Sequence, residues 1–346
     1  MSNINLPIRE PMNIPWGERI PIIFAVIGVL ALLVGTSVIS GHIGPLQIGN
    51  PARTSARLID TVGTGGVKNP RIAILPPLIG TGNTVNVNLV ATNKTVEIAP
   101  GVKYNGWTYN GTIPGPFIHV RQGQTINVTL TNKGDMKHSI DFHAAEVAPN
   151  LNFTDVQPGQ IKKFPFTADV PGVFIYHCGT APVLDHIANG MYGVIIVDPK
   201  IPLPPADVSY VIEKSEFYTM SAPGGTYDGD VTKMHNRIPD LVTFNGIAFQ
   251  YKDNPLPAKV GKRVRIYYVN AGPELWSSFH VIGGIFDKVY PSADAKNALT
   301  GVSVYGVPAS AGAIFDITFP KPGNYSFVDH DMANMELGAA GVIAVK

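Results

Sequence analysis

Runs of Val, Ile, Thr and Tyr in this chain are short, and Pro, Gly or Asn closes most of them. Proline fixes φ and removes a backbone N–H, while glycine and asparagine accept turn conformations. Such punctuation breaks helices and suits strands joined by tight turns. The 346 residues include 36 Gly and 30 Pro, and only 15% are charged. Thr125–Thr131 alternates as a half-buried strand, and Thr84–Ala91, Lys94–Ile98, Tyr104–Tyr109 and Phe117–Val120 read as further strands. The predicted fold class is all-β, built of sandwiches.

Successive prolines exclude sheet hydrogen bonding, so Pro-Lys-Ile-Pro-Leu-Pro-Pro at 199–205 marks a domain boundary. The two sides share a grammar. Val170-Pro171-Gly172 leads into an aromatic strand and His177, and Lys321-Pro322-Gly323 leads into another and His330. Arg263–Val269 alternates as Thr125–Thr131 does. This predicts one sandwich duplicated, over residues 84–199 and 200–346. Residues 42–83, rich in Pro, Gly, Thr and Ala, read as a linker. From Ile20 to Ser40 the chain carries no charge, and about 20 apolar residues can cross a bilayer. After a short tail at 1–19, residues 20–41 are therefore expected to be a transmembrane anchor or signal, read here as a retained anchor. That would place the folded domains on the extracytoplasmic side. A net charge of +1 implies no basic face, hence no nucleic-acid partner. With one cysteine there is no intrachain disulfide.

That cysteine, Cys178, is followed by His186 eight residues later and Met191 five residues after that, on one loop behind the apolar strand Val173-Phe174-Ile175-Tyr176. A thiolate, an imidazole and a thioether, joined by an upstream histidine, are the ligands of a blue-copper electron-transfer site. His138, in Lys137-His138-Ser139-Ile140-Asp141-Phe142-His143, is available as the fourth ligand. Of the nine histidines, His42, His119 and His235 stand apart from other ligands and are assigned structural or surface roles. His143, His177, His280 and His330 remain. Three neutral imidazoles with an open fourth position are a usual way to hold a catalytic metal. Adjacent strand residues point to opposite sides, so His177 can serve a second metal behind Cys178.

These motifs resemble the copper-containing nitrite reductases, which are built from two tandem cupredoxin Greek-key domains. The resemblance runs from about Tyr104 to Lys346. It rests on Asn110-Gly111-Thr112-Ile113-Pro114-Gly115-Pro116, His138-x-x-Asp141-Phe142-His143, the Tyr176–Met191 loop, Phe279-His280-Val281-Ile282-Gly283-Gly284, and His330 ahead of Glu336-Leu337-Gly338. The eight-residue spacing from Cys178 to His186 is similar to the short-loop, membrane-associated branch. The resemblance implies a type 1 copper on His138, Cys178, His186 and Met191, and a type 2 copper on His143, His177 and His330. It further implies proton handling by Asp141 and His280, a pocket shaped by Ile282, and a homotrimer with the type 2 copper between subunits. One electron and two protons would then convert nitrite to nitric oxide. Pro182, Val183 and Leu184 are expected to form an apolar rim around an exposed edge of His186, where a small cytochrome c or cupredoxin could deliver the electron.

Two rival readings make different demands. A two-domain multicopper oxidase reducing O2 needs a three-copper cluster built from His-x-His pairs, and no His-x-His occurs here. A membrane-tethered copper electron carrier without catalytic activity would leave His143, His177, His280 and His330 without a common purpose.

Overall fold

The longest strand, β1 (Thr84–Ala99), runs unbroken where the sequence suggested two pieces. Asn93, Lys94 and Thr95 are exposed, so the strand passes through solvent there and needs no apolar alternation. The computed structural model describes residues 57–63, 65–291 and 297–346. The tail at 1–19 and the expected anchor at 20–41 lie outside the described residues. Among those that are described, no helix is long and apolar enough to cross a membrane.

Strands β2 (Val102–Tyr109), β4 (Thr125–Asn132) and β6 (Ile161–Thr167) join β1 in the order β2-β1-β4-β6, with β1 and β4 parallel. Facing them, β3 (Ile118–Arg121), β5 (Asp141–Phe142), β7 (Gly172–His177) and β8 (Tyr192–Asp198) are ordered β3-β8-β7-β5. Alternate residues of both sheets, among them Val87, Leu89, Val128, Leu130, Tyr176 and Ile195, close the core between them.

The second sandwich repeats this plan. Its first sheet runs β12-β9-β14-β18-β16, from β9 (Val208–Phe217), β12 (Leu241–Phe244), β14 (Arg263–Gly272), β16 (Lys288–Pro291) and β18 (Gly312–Thr318). Its second runs β13-β20-β19-β15-β17, from β13 (Leu256–Ala258), β15 (Ser277–Val281), β17 (Val304–Val307), β19 (Gly323–Asp329) and β20 (Ala340–Val345). The parallel pair β9/β14 matches β1/β4, and β13/β20 matches β3/β8. The duplicated grammar of the sequence is thus a duplicated topology. One exchange crosses the seam: the hairpin of β10 (Thr219–Ala222) and β11 (Thr226–Gly229) adds to the edge of β2 in the first sandwich.

The described residues belong to one compact unit. The inner sheets of the two sandwiches pack back to back. Val173, Ile175, Val194 and Ile196 meet Val211, Tyr267, Val269 and Ile314 in one buried cluster. Strand β8 is therefore buried on both faces, which is why Tyr192–Val197 shows no polar alternation. Gly312 permits the approach: a Cβ there would stand 2.2 Å from the Val173 carbonyl oxygen.

Part of the expected linker at 42–83 is docked. Ile74 bridges Tyr210 antiparallel, the Leu75 N–H donates to Ser209 O, and the Ile79 N–H donates to His119 O. The strap fills the part of the β9 edge that β12 leaves open, and buries Val67 and Ala73. His119 is structural, as expected: its Nδ1 lies 2.8 Å from Pro76 O and its Nε2 3.0 Å from Asp198.

Candidate metal centres

Strand β7 ends at His177, so the pleat sends His177 and Cys178 to opposite sides. Cys178 enters the core of the first sandwich, fully buried. Its Sγ lies 3.2 Å from His186 Nδ1 and accepts the Ser139 N–H at 3.3 Å. The Nδ1 atoms of His138 and His186 are 3.2 Å apart. Two neutral imidazoles that meet through the same nitrogens beside a sulfur form a convergent, soft donor set, and that chemistry fits copper. Burial pushes both imidazoles down to about 4, the His186 value lowered further by His138, so their lone pairs are free at neutral pH. Met191 belongs to the same core as Cys178, and the loop closes when the Cys178 N–H donates to Met191 O and the Met191 N–H to His186 O.

His186 rides on a short helix, α1 (Val183–Ala188). Here the sequence expectation holds only in part: Pro182 and Val183 are exposed, but the His186 edge is not. His186 is only 3% exposed, so it presents no edge to a partner. Leu184 turns inward instead, against Ala188, Tyr218 and Met234, because the second half of the chain supplies an apolar surface beside the helix. Trp107, inside the predicted strand Tyr104–Tyr109, lies edge-on to His186 with ring centroids 5.0 Å apart.

On the other side of β7, Asp141 stands in register with His177. Its carboxylate is 4.0 Å from His177 Nε2, and His143 Nε2 is 3.0 Å from the same nitrogen. His177 Nδ1 meets the Cys178 carbonyl at 3.0 Å. A carbonyl only accepts, so the proton sits on Nδ1 and the Nε2 lone pair faces His143. Desolvation first, then His177, lowers the His143 imidazole below its ordinary range. Two facing imidazole nitrogens beside a carboxylate also suit a borderline cation.

The second sandwich carries the other two histidines. His280 on β15 and His330 just past β19 have ring centroids 5.4 Å apart. Buried Asp329 accepts the Ser278 and Asp331 N–H groups and the Asn334 amide, which fixes the turn that presents His330. The His330 N–H donates to Ser278 O. His280 Nδ1 meets Ser303 O at 2.6 Å, leaving Nε2 outward. Ile282, half exposed, follows on the same face. Among the described residues of one chain, ligand atoms gather within 4.8 Å as His138–Cys178–His186 and as Asp141–His143–His177. His330 joins neither group, and His280 does not join Asp141.

The chain was also compared with known families and solved structures. A multicopper oxidase family profile matches residues 90–201. The chain is 41% identical over 269 residues to the copper-containing nitrite reductase of Neisseria meningitidis, covering 76% of this chain and 69% of that one. It is 31% identical over 313 residues to the copper-containing nitrite reductase of Alcaligenes xylosoxydans, covering 80% and 94%. The solved copper nitrite reductase from Nitrosomonas europaea superposes with a TM-score of 0.71 at 43% identity, covering 76% of this chain and 94% of that one.

Proposed function

The chain belongs to the copper-containing nitrite reductases, and from that premise we propose how its two donor clusters divide the reduction of nitrite to nitric oxide. His138, Cys178, His186 and Met191 hold a type 1 copper, and His143, His177 and His330 hold a type 2 copper. So bound, the metals supply one electron from the thiolate site and a Lewis acid for nitrite at the imidazole site. The observation that carries this reading is the back-to-back arrangement at the end of β7, where consecutive residues serve the two clusters.

The residues around the imidazole site do the proton work. The Asp141 carboxylate, half exposed beside His177, can hold a proton next to substrate and release it as an N–O bond breaks. His280 keeps its Nδ1 proton on Ser303 O, so Nε2 takes up and returns the second. Ile282 narrows the space beside them and excludes water. His280 and His330 lie together on the second sandwich, away from His143 and His177. We therefore place the complete site between chains, the second sandwich of one subunit capping the first sandwich of its neighbour in a homotrimer. A repeated head-to-tail contact of this kind closes into a ring. Electrons come from a small redox protein, a cytochrome c or a cupredoxin, and residues 20–41 tether the enzyme to a membrane with its domains extracytoplasmic.

Anaerobic assay with nitrite and a reduced dye tests the reading. Nitric oxide should form, with two coppers per chain rather than the four of an oxidase. Asp141→Asn and His280→Ala should each lower turnover by about 10²-fold or more while sparing the visible spectrum. Wild-type rates in both variants would make the pair structural. Copper-loaded protein inert toward nitrite would favour a plain electron carrier.

A further inference from the structure

The side chains assigned to the thiolate site offer almost no surface. His138, Cys178 and Met191 are fully buried, and His186 is 3% exposed. A donor protein therefore meets other residues before the ligands, and the shortest route for its electron runs through a side chain packed between solvent and an imidazole. Trp107 on β2 is such a side chain. Its ring centroid lies 5.0 Å from that of His186 and 6.2 Å from that of His138. The same side chain is half-buried and lines a groove of about 530 Å3 with Lys94, Asn105, Asp185, Asn189 and Asp228. The ligand loop holds it in place. The Trp107 backbone N–H donates to Asn189 O at 3.0 Å, which ties β2 to the loop. The Asn189 side chain in turn donates to Asp185 O and accepts the Tyr104 hydroxyl at 2.7 Å. Anchored at its backbone and packed against both imidazoles, the indole lies in the short gap that an electron has to tunnel across.

We propose that Trp107 is the electron-entry residue of this enzyme, the surface on which a one-electron donor protein makes contact. The donor, a haem or copper carrier, loses one electron, and the oxidised copper held by His138, Cys178, His186 and Met191 gains it. No bond forms or breaks and no proton moves. The indole bridges the gap and is unchanged afterwards. The proposal rests on the reading that these four residues bind copper.

Stopped-flow bleaching of the thiolate-to-copper absorption, anaerobic and without nitrite, tests it. The probes are a reduced, lysine-rimmed cytochrome c, chosen because Asp185 and Asp228 outnumber Lys94 around the groove, and a small reduced dye. Trp107→Leu should lower the limiting rate at saturating cytochrome by about tenfold or more, with the absorption band and the dye rate unchanged. Trp107→Phe, which keeps an aromatic bridge, should restore most of the rate. With Trp16 and Trp276 replaced by Phe, copper loading should quench the remaining emission, that of Trp107, in step with growth of the band. Wild-type bleaching of the Leu variant by cytochrome overturns the proposal, as does equal slowing with both reductants, which would make Trp107 a packing residue. Unquenched Trp107 emission overturns it too. Wild-type protein without the band would remove the copper reading, and the proposal with it.

Discussion

Cys178 sits at the end of a strand, fully buried in an apolar core, facing two imidazole nitrogens and a backbone N–H. Its sulfur is the one ligand that gives a copper site intense visible colour. Cys178→Ala should abolish the colour and donor-linked turnover while copper at the imidazole site remains, as a copper count and spectrum would show. Colour surviving in that variant would defeat the assignment. The imidazoles carry a second, metal-free consequence. Burial keeps His138 and His186 neutral down to about 4, whereas in the unfolded chain they take up protons near 6.5. Between those values the unfolded state binds more protons. The copper-free fold should therefore hold its stability above about pH 6.5 and lose it as pH falls toward 4, by up to roughly 3 kcal/mol per ring. Thermal midpoints of copper-free protein, compared with a His138→Gln/His186→Gln variant, measure this. An identical acid slope in both would show that other groups dominate.

Elements decide how the two clusters are kept apart. Strand β7 carries one residue to each side, and β5 brings Asp141 into register opposite His177. Behind them β7 packs on β18 of the second sandwich, where Gly312 admits the Val173 backbone. In an open strand Gly→Ala is mildly favourable, because glycine loses more chain entropy on folding. At this seam the new Cβ meets a carbonyl oxygen at 2.2 Å, so β18 has to move away from β7. Gly312→Ala should instead destabilise by about 1–3 kcal/mol, the usual cost of overpacking. Denaturant unfolding gives the sign directly, and a stabilised variant would mean that the seam is looser than its geometry.

At the scale of the whole molecule, His143 and His177 belong to the first sandwich and His280 and His330 to the second. If neighbouring chains complete each other's sites, His143→Ala and His330→Ala homotrimers should each be inactive. Mixed at equal amounts, about a quarter of the contacts in a closed ring join an intact first sandwich to an intact second. Activity should return on mixing. Mixed trimers confirmed by mass yet dead would place the site within one chain, or remove His330 from the ligands.

Much of this was legible in the sequence because the chemistry is local. Cys178, His186 and Met191 share one loop, and thiolate, imidazole and thioether together are rare outside soft-metal sites. The alternation of Thr125–Thr131 and the repeated Pro-Gly before His177 and His330 reported a duplicated sandwich, since turn chemistry and strand period act over a few residues. The unbroken apolar run Tyr192–Val197 said that both faces of β8 are buried, but not against what. Tertiary structure alone decided that. The inner sheets stack, the strap at 71–79 occupies an open strand edge, and the β10–β11 hairpin crosses into the other sandwich. It also turned Leu184 inward, because Met234 and Tyr218 lie far along the chain yet supply the surface it packs on, and it covered His186 with Trp107. The role of Trp107 is not written in the sequence for the same reason: its contact with His186 exists only once the register of β2 meets the ligand loop. Ligand identity is written in side-chain chemistry at short range, whereas burial and access are set by whichever distant segment arrives to pack.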